Sequence, residues 1–435
     1  MATDAPILLI GRGDLAEEVR QGLDALGAQV IRLVEPTQRE VAEVFERGPV
    51  ERAVVVSRQD AVALRFALMV RHVDDEVPLL VTLFDKTVGE QLSSRIEPVE
   101  ITSMADIVAP VLAGPCLGEG LDAVVVRDGR AMGVRCADGA TSEEPVEVQR
   151  PSRFRVALES VLRPHDRSAA LMFYGIVGLL AVLLAETVGA VIVLDQTPVD
   201  AFYNSTKALV TVGPNDSVSK GPTAFKVFSG VLHICALVFE ALFTAGIVNR
   251  LIDRRLTGLL GRNAVPRRDH VIVVGLGKVG MRLSSLLQQA GAGVVAVDDR
   301  EDGENVGFAR EKRLPVVIGQ GADPSLLRSL SVRNARALAA VTDDDLANVS
   351  IAMSALAVNP DLRVVLRVGD GRLANETRSL TQFGLVRDVH RIAAALIAAQ
   401  ATGSAAGRVV CGDDGAALLV HDDGSIEEAA LAAVS

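Results

Sequence analysis

Two stretches of the chain carry no polar face. Residues 168–194 read SAALMFYGIVGLLAVLLAETVGAVIVL, and residues 224–248 read AFKVFSGVLHICALVFEALFTAGIV. Each is about as long as the ~20 residues an α-helix needs to cross the hydrocarbon of a bilayer. Most helices of soluble proteins are shorter and keep a polar stripe, so the pattern predicts two membrane spans. On either side of this pair the periodicity changes. Short apolar runs such as Ile7–Ile10, Leu79–Phe84, Val271–Val274 and Arg363–Val368 alternate with amphipathic segments. Strands alternating with helices predict an open parallel sheet covered on both faces.

The two flanking segments repeat one another, which points to duplicated domains. Each starts with an apolar strand and a glycine turn. Each ends alike, GEGLDAVVVRDGRAMGVRCADGA in the first and AAGRVVCGDDGAALLVHDDGS in the second. The expected organisation is an α/β domain over residues 1–147, an all-α membrane domain over 148–262, and a second α/β domain over 263–435. Arginines crowd the outer flanks of the spans: Arg150, Arg153, Arg155, Arg163 and Arg167 before them, and Arg250, Arg254, Arg255, Arg262, Arg267 and Arg268 after them. The connecting loop has only Lys207, Lys220 and Lys226, offset by Asp195, Asp200 and Asp216. That bias predicts a hairpin with both termini in the cytoplasm.

Composition narrows the function. The apolar share of 49% is high for a soluble chain of 435 residues. A net charge of −11 gives no reason to expect nucleic acid as a partner. The four cysteines, Cys116, Cys136, Cys235 and Cys411, are far apart and form no CxxC pair, against a disulfide framework or a zinc site. The soluble parts therefore read as reduced, cytosolic material. The first residues, MATDAPILLIGRGD, lack a basic region and a long apolar core, and read as a first strand and not a signal peptide.

HVIVVGLGKVGMRL places GxGxxG between a strand and a helix. Gly275 makes the tight turn, Gly277 lets a pyrophosphate approach the backbone, and Gly280 lets helix and strand pack closely. The helix N-terminus then faces phosphate with free N–H groups. Asp298, ending the next strand, stands where an acid bonds ribose hydroxyls. The first domain has the weaker GRGDLA, with Gly11, Gly13 and Ala16, and Glu35 ending its second strand. Asp14 adds negative charge where phosphate would sit, and the chain between Glu35 and AVVVS is too short for a further strand. A second nucleotide site and a copy that has lost its ligand both fit. NAD(H), an adenine nucleotide, or a divalent cation at the acidic loops are the ligands left open.

Between the spans, residues 200–210 are predicted to form a short helix, followed by Thr211, Val212, Gly213, Pro214, Asn215 and Asp216. This stretch resembles the pore loop of two-span potassium channels, whose filter typically reads TVGYGD. The resemblance implies that the carbonyls of Thr211, Val212, Gly213 and Pro214, with the Thr211 hydroxyl, replace the water of a permeant potassium ion. Two residues depart from it. Pro214 replaces the aromatic residue and has no N–H, and Asn215 replaces a glycine that must reach positive φ. FSGVLHI and FTAGIVNRLIDRRL after the loop also follow the channel pattern.

The soluble domains resemble the regulator-of-potassium-conductance (RCK, TrkA-N type) family. The second carries its marks at Gly319, Thr342-Asp343-Asp344-Asp345 and Asn348, and departs at Gln320, where aspartate is usual. The fold class implied is two α/β Rossmann-like RCK domains plus an all-α two-helix transmembrane pore domain with a re-entrant pore loop. Gly275, Gly277, Gly280, Asp298, Gly319 and Thr342 form the expected nucleotide site. Glu240 is expected to face the ion cavity; for Glu186, near the outer end of its span, facing the cavity, pairing with a neighbouring helix and reaching water all stay open. The resemblance implies a homo-tetramer in the plasma membrane, because one loop supplies a quarter of a filter. No acid–base or cysteine constellation points to an enzyme. The reading is a ligand-gated cation channel subunit, with potassium as permeant. The alternative is a non-conducting or nonselective membrane nucleotide sensor or regulatory subunit.

Overall fold

The apolar runs at Ile7 and Val271 are the central strands of two parallel sheets. A computed structural model describes residues 5–146, 167–210, 216–252 and 268–429, apart from 128, 138–139, 304, 370, 372, 375–383, 413–414 and 422. The chain forms two units, Met1–Pro151 with Val265–Ser435, and Ser152–Ala264.

In the soluble unit, the first half runs β1 (Ile7–Gly11), α1 (Asp14–Ala25), β2 (Val30–Leu33), α2 (Gln38–Arg47), β3 (Arg52–Val56), α3 (Asp60–Val73), β4 (Leu79–Thr82), α4 (Lys86–Ser93), β5 (Val99–Thr102) and α5 (Met104–Leu117). Its strands pair in the order β2-β1-β3-β4-β5, all in parallel. β1 is buried along its whole length, which is why it reads as a continuous apolar run. Between β2 and β3 there is room only for α2, started by a Thr37–Glu40 capping box. Among the described residues β2 is therefore an edge strand of this sheet.

An antiparallel meander follows, β6 (Ala123–Arg127), β7 (Arg130–Ala137) and β8 (Ala140–Pro145). In the membrane unit, α6 (Arg167–Leu194) and α9 (Thr223–Ile252) are long, with α7 (Pro198–Leu209) and α8 (Asp216–Lys220) between them. Both long helices have the length and composition to cross a membrane. Leu184, Ile192 and Ile234 are 65%, 73% and 65% exposed. A soluble core would bury such side chains, so the exposed apolar faces are those of a membrane protein.

α6 and α9 pack along each other. A Cβ at Gly175 would meet Phe243 at 2.8 Å, and one at Gly178 would enter the ring of Phe239; small residues allow this close approach. α7 begins at Pro198 and is capped by Thr197, whose hydroxyl accepts from the Asp200 N–H. The filter residues Thr211, Val212, Gly213, Pro214 and Asn215 lie outside the described residues.

Of the alternatives open for Glu186, the structure shows pairing with the neighbouring helix. Glu186 is 1% exposed, accepts a 2.8 Å hydrogen bond from the Ser229 hydroxyl and lies 3.6 Å from His233 Nε2. An acid in an apolar span is costly without partners, and α9 supplies them. Glu240 is exposed in this single chain.

The second half continues with β9 (His270–Val274), α10 (Lys278–Gln289), β10 (Gly293–Asp298), α11 (Val306–Glu311), β11 (Val316–Ile318), α12 (Pro324–Ser329), β12 (Ala337–Ala340), α13 (Asp345–Val358), β13 (Arg363–Val368), β14 (Leu385–Asp388) and α14 (Val389–Ala401). A second meander closes it, β15 (Ala406–Cys411), β16 (Ala417–His421) and β17 (Ile426–Glu428). The sheet order is β11-β10-β9-β12-β13-β14.

The halves exchange helices: α1 packs on α14, and α10 packs on α5. The reason lies in α5 and α14, which are apolar nearly all round. Such a helix is stable only when covered on every side, and here the other half provides the cover. The two meanders meet through Ala123, Val134, Val410 and Val420.

Candidate functional site, a cleft at the glycine turn

The turn after β9 is built by its glycines. Gly275 has φ 100°, a conformation that disfavours side chains, and a Cβ there would sit 2.8 Å from the Thr342 nitrogen. A Cβ on Gly280 would run into the carbonyl oxygen of Gly275, whereas Gly277 faces open space with nothing within 4 Å. The turn thus brings the start of α10 close beneath β9 and leaves the backbone ahead of it uncovered. The space in front is a cleft of about 980 Å³.

Asp298 ends β10 and braces the turn. Its carboxylate accepts from the Leu276 N–H at 2.8 Å and from the Arg300 N–H at 3.0 Å. A carboxylate offers about four lone-pair directions, so each oxygen keeps capacity toward the cleft. Gly319 lies beside it, its N–H on the Asp298 carbonyl at 2.8 Å. Thr342 is held by Asn348, whose side-chain oxygen accepts from the Thr342 N–H at 2.9 Å and its hydroxyl at 2.7 Å. The six residues expected at the first site therefore stand together around one turn.

The far wall comes from the first half, from residues following β3, β4 and β5: Ser57–Asp60, Leu83–Phe84 and Ser103–Ala105. Lys278, the first residue of α10, donates to the Asp60 carboxylate at 2.8 Å and to the Arg58 carbonyl at 2.9 Å. Burial pushes the Asp60 carboxyl up, but hydrogen bonds from Lys278 and from the Asp85 and Phe84 N–H groups outweigh it and hold it below its usual value.

Arg367, on β13, is 5% exposed and donates to the Thr342 carbonyl at 2.5 Å. Burial and the nearby Arg58 lower its pKa. Arg58, Asp60, Lys278 and Arg367 escaped the sequence reading, although two carried a signal. A lysine at the start of a helix opposes the helix dipole, and an arginine interrupts the apolar strand RVVLRV.

The glycine turn of the first half is built differently. A Cβ on Gly11 would sit 2.5 Å from the Val56 carbonyl, Gly13 has φ 83°, and Ala16 is fully buried. Glu35 does not end β2, which stops at Leu33. It lies beyond in a left-handed conformation, φ 50°, because the chain turns early into α2. Its carboxylate pairs with Arg12 at 2.8 Å, inside the glycine turn itself.

Residues 271–383 match the family model of the TrkA-N domain. The chain is 25% identical over 224 residues to the voltage-gated potassium channel Kch of Escherichia coli (strain K12), covering 49% of this chain and 54% of that one. It is 24% identical over 200 residues to potassium channel protein 1 of Methanocaldococcus jannaschii, covering 44% of this chain and 59% of that one. It thus spans little more than half of those relatives. The solved GsuK channel bound to NAD superposes with a TM-score of 0.50 over 92% of this chain and 64% of that one, at 12% identity. That likeness is one of fold.

Proposed function

We propose that this chain is one subunit of a cation channel whose opening is controlled by a nucleotide bound at the GLGKVG turn. The observation that carries the reading is the open backbone before α10. It faces a large cleft, in a chain that also supplies an apolar hairpin of spanning length. Free N–H groups and the positive end of a helix dipole suit phosphate. Gly275, Gly277 and Gly280 form the cradle, Asp298 takes ribose hydroxyls, and Gly319 and Thr342 bound the two sides. NAD(H) or an adenine nucleotide fits this donor set. The first-half turn (Gly11, Gly13, Ala16, Glu35) is proposed as a structural copy, because Arg12 already occupies Glu35.

Four copies would place their loops, Thr211 to Asn215, around one pore with potassium as permeant, and Glu240 toward its cavity. The protein would sit in the plasma membrane with both termini in the cytoplasm. No catalytic role is assigned. A ligand bound better by one state of the soluble unit shifts the pore by that difference in affinity. Rubidium uptake into proteoliposomes tests this. Uptake should change when NADH or ADP is added, and Gly277→Val should abolish the change. Uptake indifferent to every nucleotide would refute it. Pro214 and Asn215 in the filter favour a second reading, a non-conducting sensor, for which no uptake occurs under any ligand.

A further inference from the structure

Arg58, Lys278 and Arg367 line one cleft, and among the described residues one of them, Lys278, has a carboxylate within ion-pair distance. Lys278 is matched by Asp60 at 2.8 Å. Arg367 is buried to 5%, its guanidinium hydrogen-bonds a neutral carbonyl, and its Nε has no hydrogen-bond partner among the described residues. Among those residues it forms no ion pair. Two acids of the same wall hydrogen-bond backbone. Asp344 accepts from the Ala347 N–H at 3.0 Å, and Asp345 from the Gly369 N–H at 2.8 Å.

A buried guanidinium with no carboxylate in contact is costly, and the charges of Asp345 and Asp343 act on it only from beyond ion-pair distance. Here a second arginine adds to the cost, because the charge of Arg58 acts against that of Arg367. Both line the cleft. Arg58 is exposed, on the loop after β3 in the first half. It is placed by its own carbonyl, which Lys278 grips at 2.9 Å. An anion between the two guanidiniums removes both costs. Planar, multi-donor arginine suits phosphate oxygens.

We propose that Arg58 and Arg367 form a distal phosphate subsite, completed from both halves of the soluble unit, so that a nucleoside diphosphate group bridges them. The inference rests on the nucleotide site proposed above and extends it. The first phosphate sits on the GLG turn, which belongs to the second half alone. The next reaches Arg367, beside Thr342 on the same wall, and Arg58 on the opposite wall. A nucleoside monophosphate occupies only one half. A diphosphate ties the first-half loop Ser57–Asp60 to α10, which is how occupancy becomes a change in the relation of the halves.

The test is titration calorimetry of ADP and AMP on the purified full-length chain. ADP should bind at least about tenfold tighter than AMP, the scale of one added charge-assisted contact. Arg58→Gln should remove most of that preference while changing AMP affinity less than about twofold. Arg58→Lys should restore part of it. Arg58 is exposed, so folding is not at stake. Equal affinities in the wild type, or an unchanged ratio in Arg58→Gln, would overturn this inference and leave the nucleotide site standing. A wild type that binds neither nucleotide would overturn the site and the inference together.

Discussion

A methyl group added at Gly277 meets nothing within 4 Å, whereas one added at Gly280 runs into the carbonyl of Gly275. The two glycines share a motif and answer to different constraints, so their variants should separate. Gly277→Val should keep the unfolding temperature and weaken nucleotide binding by about tenfold or more, since it fills the space phosphate needs. Gly280→Ala should cost about 1–3 kcal/mol of stability through overpacking, read from chemical unfolding.

His390 offers a pH test. Its burial holds the imidazole pKa below the usual value, with help from Arg367 against a hydrogen bond to the Gly369 carbonyl. The unfolded chain then takes up the proton first. The stabilisation is present above about pH 6.5, the ordinary histidine value, and is lost as pH falls below it. The unfolding midpoint of the full-length chain should fall over that interval, and His390→Gln should flatten the slope. The motif residues were legible because their spacing encodes backbone geometry. Arg58 was not, because its role depends on a wall formed by the other half. Glu35 was misplaced because a left-handed turn ended its strand early.

Helices divide between those whose sequence names their partner and those whose sequence names only a need for one. α6 and α9 announce a membrane by length and apolar exposure. Their mutual packing shows at Gly178, where a Cβ would enter the Phe239 ring. Gly178→Leu should push the helices apart and broaden or abolish the size-exclusion peak of detergent-extracted protein. Leu184→Ala, at a position 65% exposed, should leave that peak unchanged. α5 and α14 are apolar almost all round, so burial was legible. That each is covered by the opposite half was not, because an apolar surface carries no address. One consequence is chemical. Burial pushes the Cys116 thiol, on α5, up to about 12, so maleimide should label it far more slowly in folded than in unfolded protein at pH 8.

Across the whole chain, the duplicated pattern of strands and glycine turns is legible in the sequence. The inequality of the copies showed in the weaker GRGDLA turn, in Asp14 and in the short spacer after Glu35. In three dimensions that inequality is one of surroundings. One half presents its turn to a cleft, and the other has an exposed Arg12–Glu35 pair at its turn and lends its strand ends as a wall. The Lys278–Asp60 pair joins them across that wall. A half-buried pair of this kind is worth about 1 kcal/mol or less, enough to bias two arrangements and too little to lock one.

The pore is where the central claim is decided. The most direct measurement is the reversal potential of the purified protein in a planar bilayer, with potassium on one side, sodium on the other, and NADH or ADP added to the side of the soluble unit. A gated potassium pore gives a current that reverses near the potassium limit and changes in open probability with nucleotide. A current reversing near zero, or no current under any nucleotide, would contradict it.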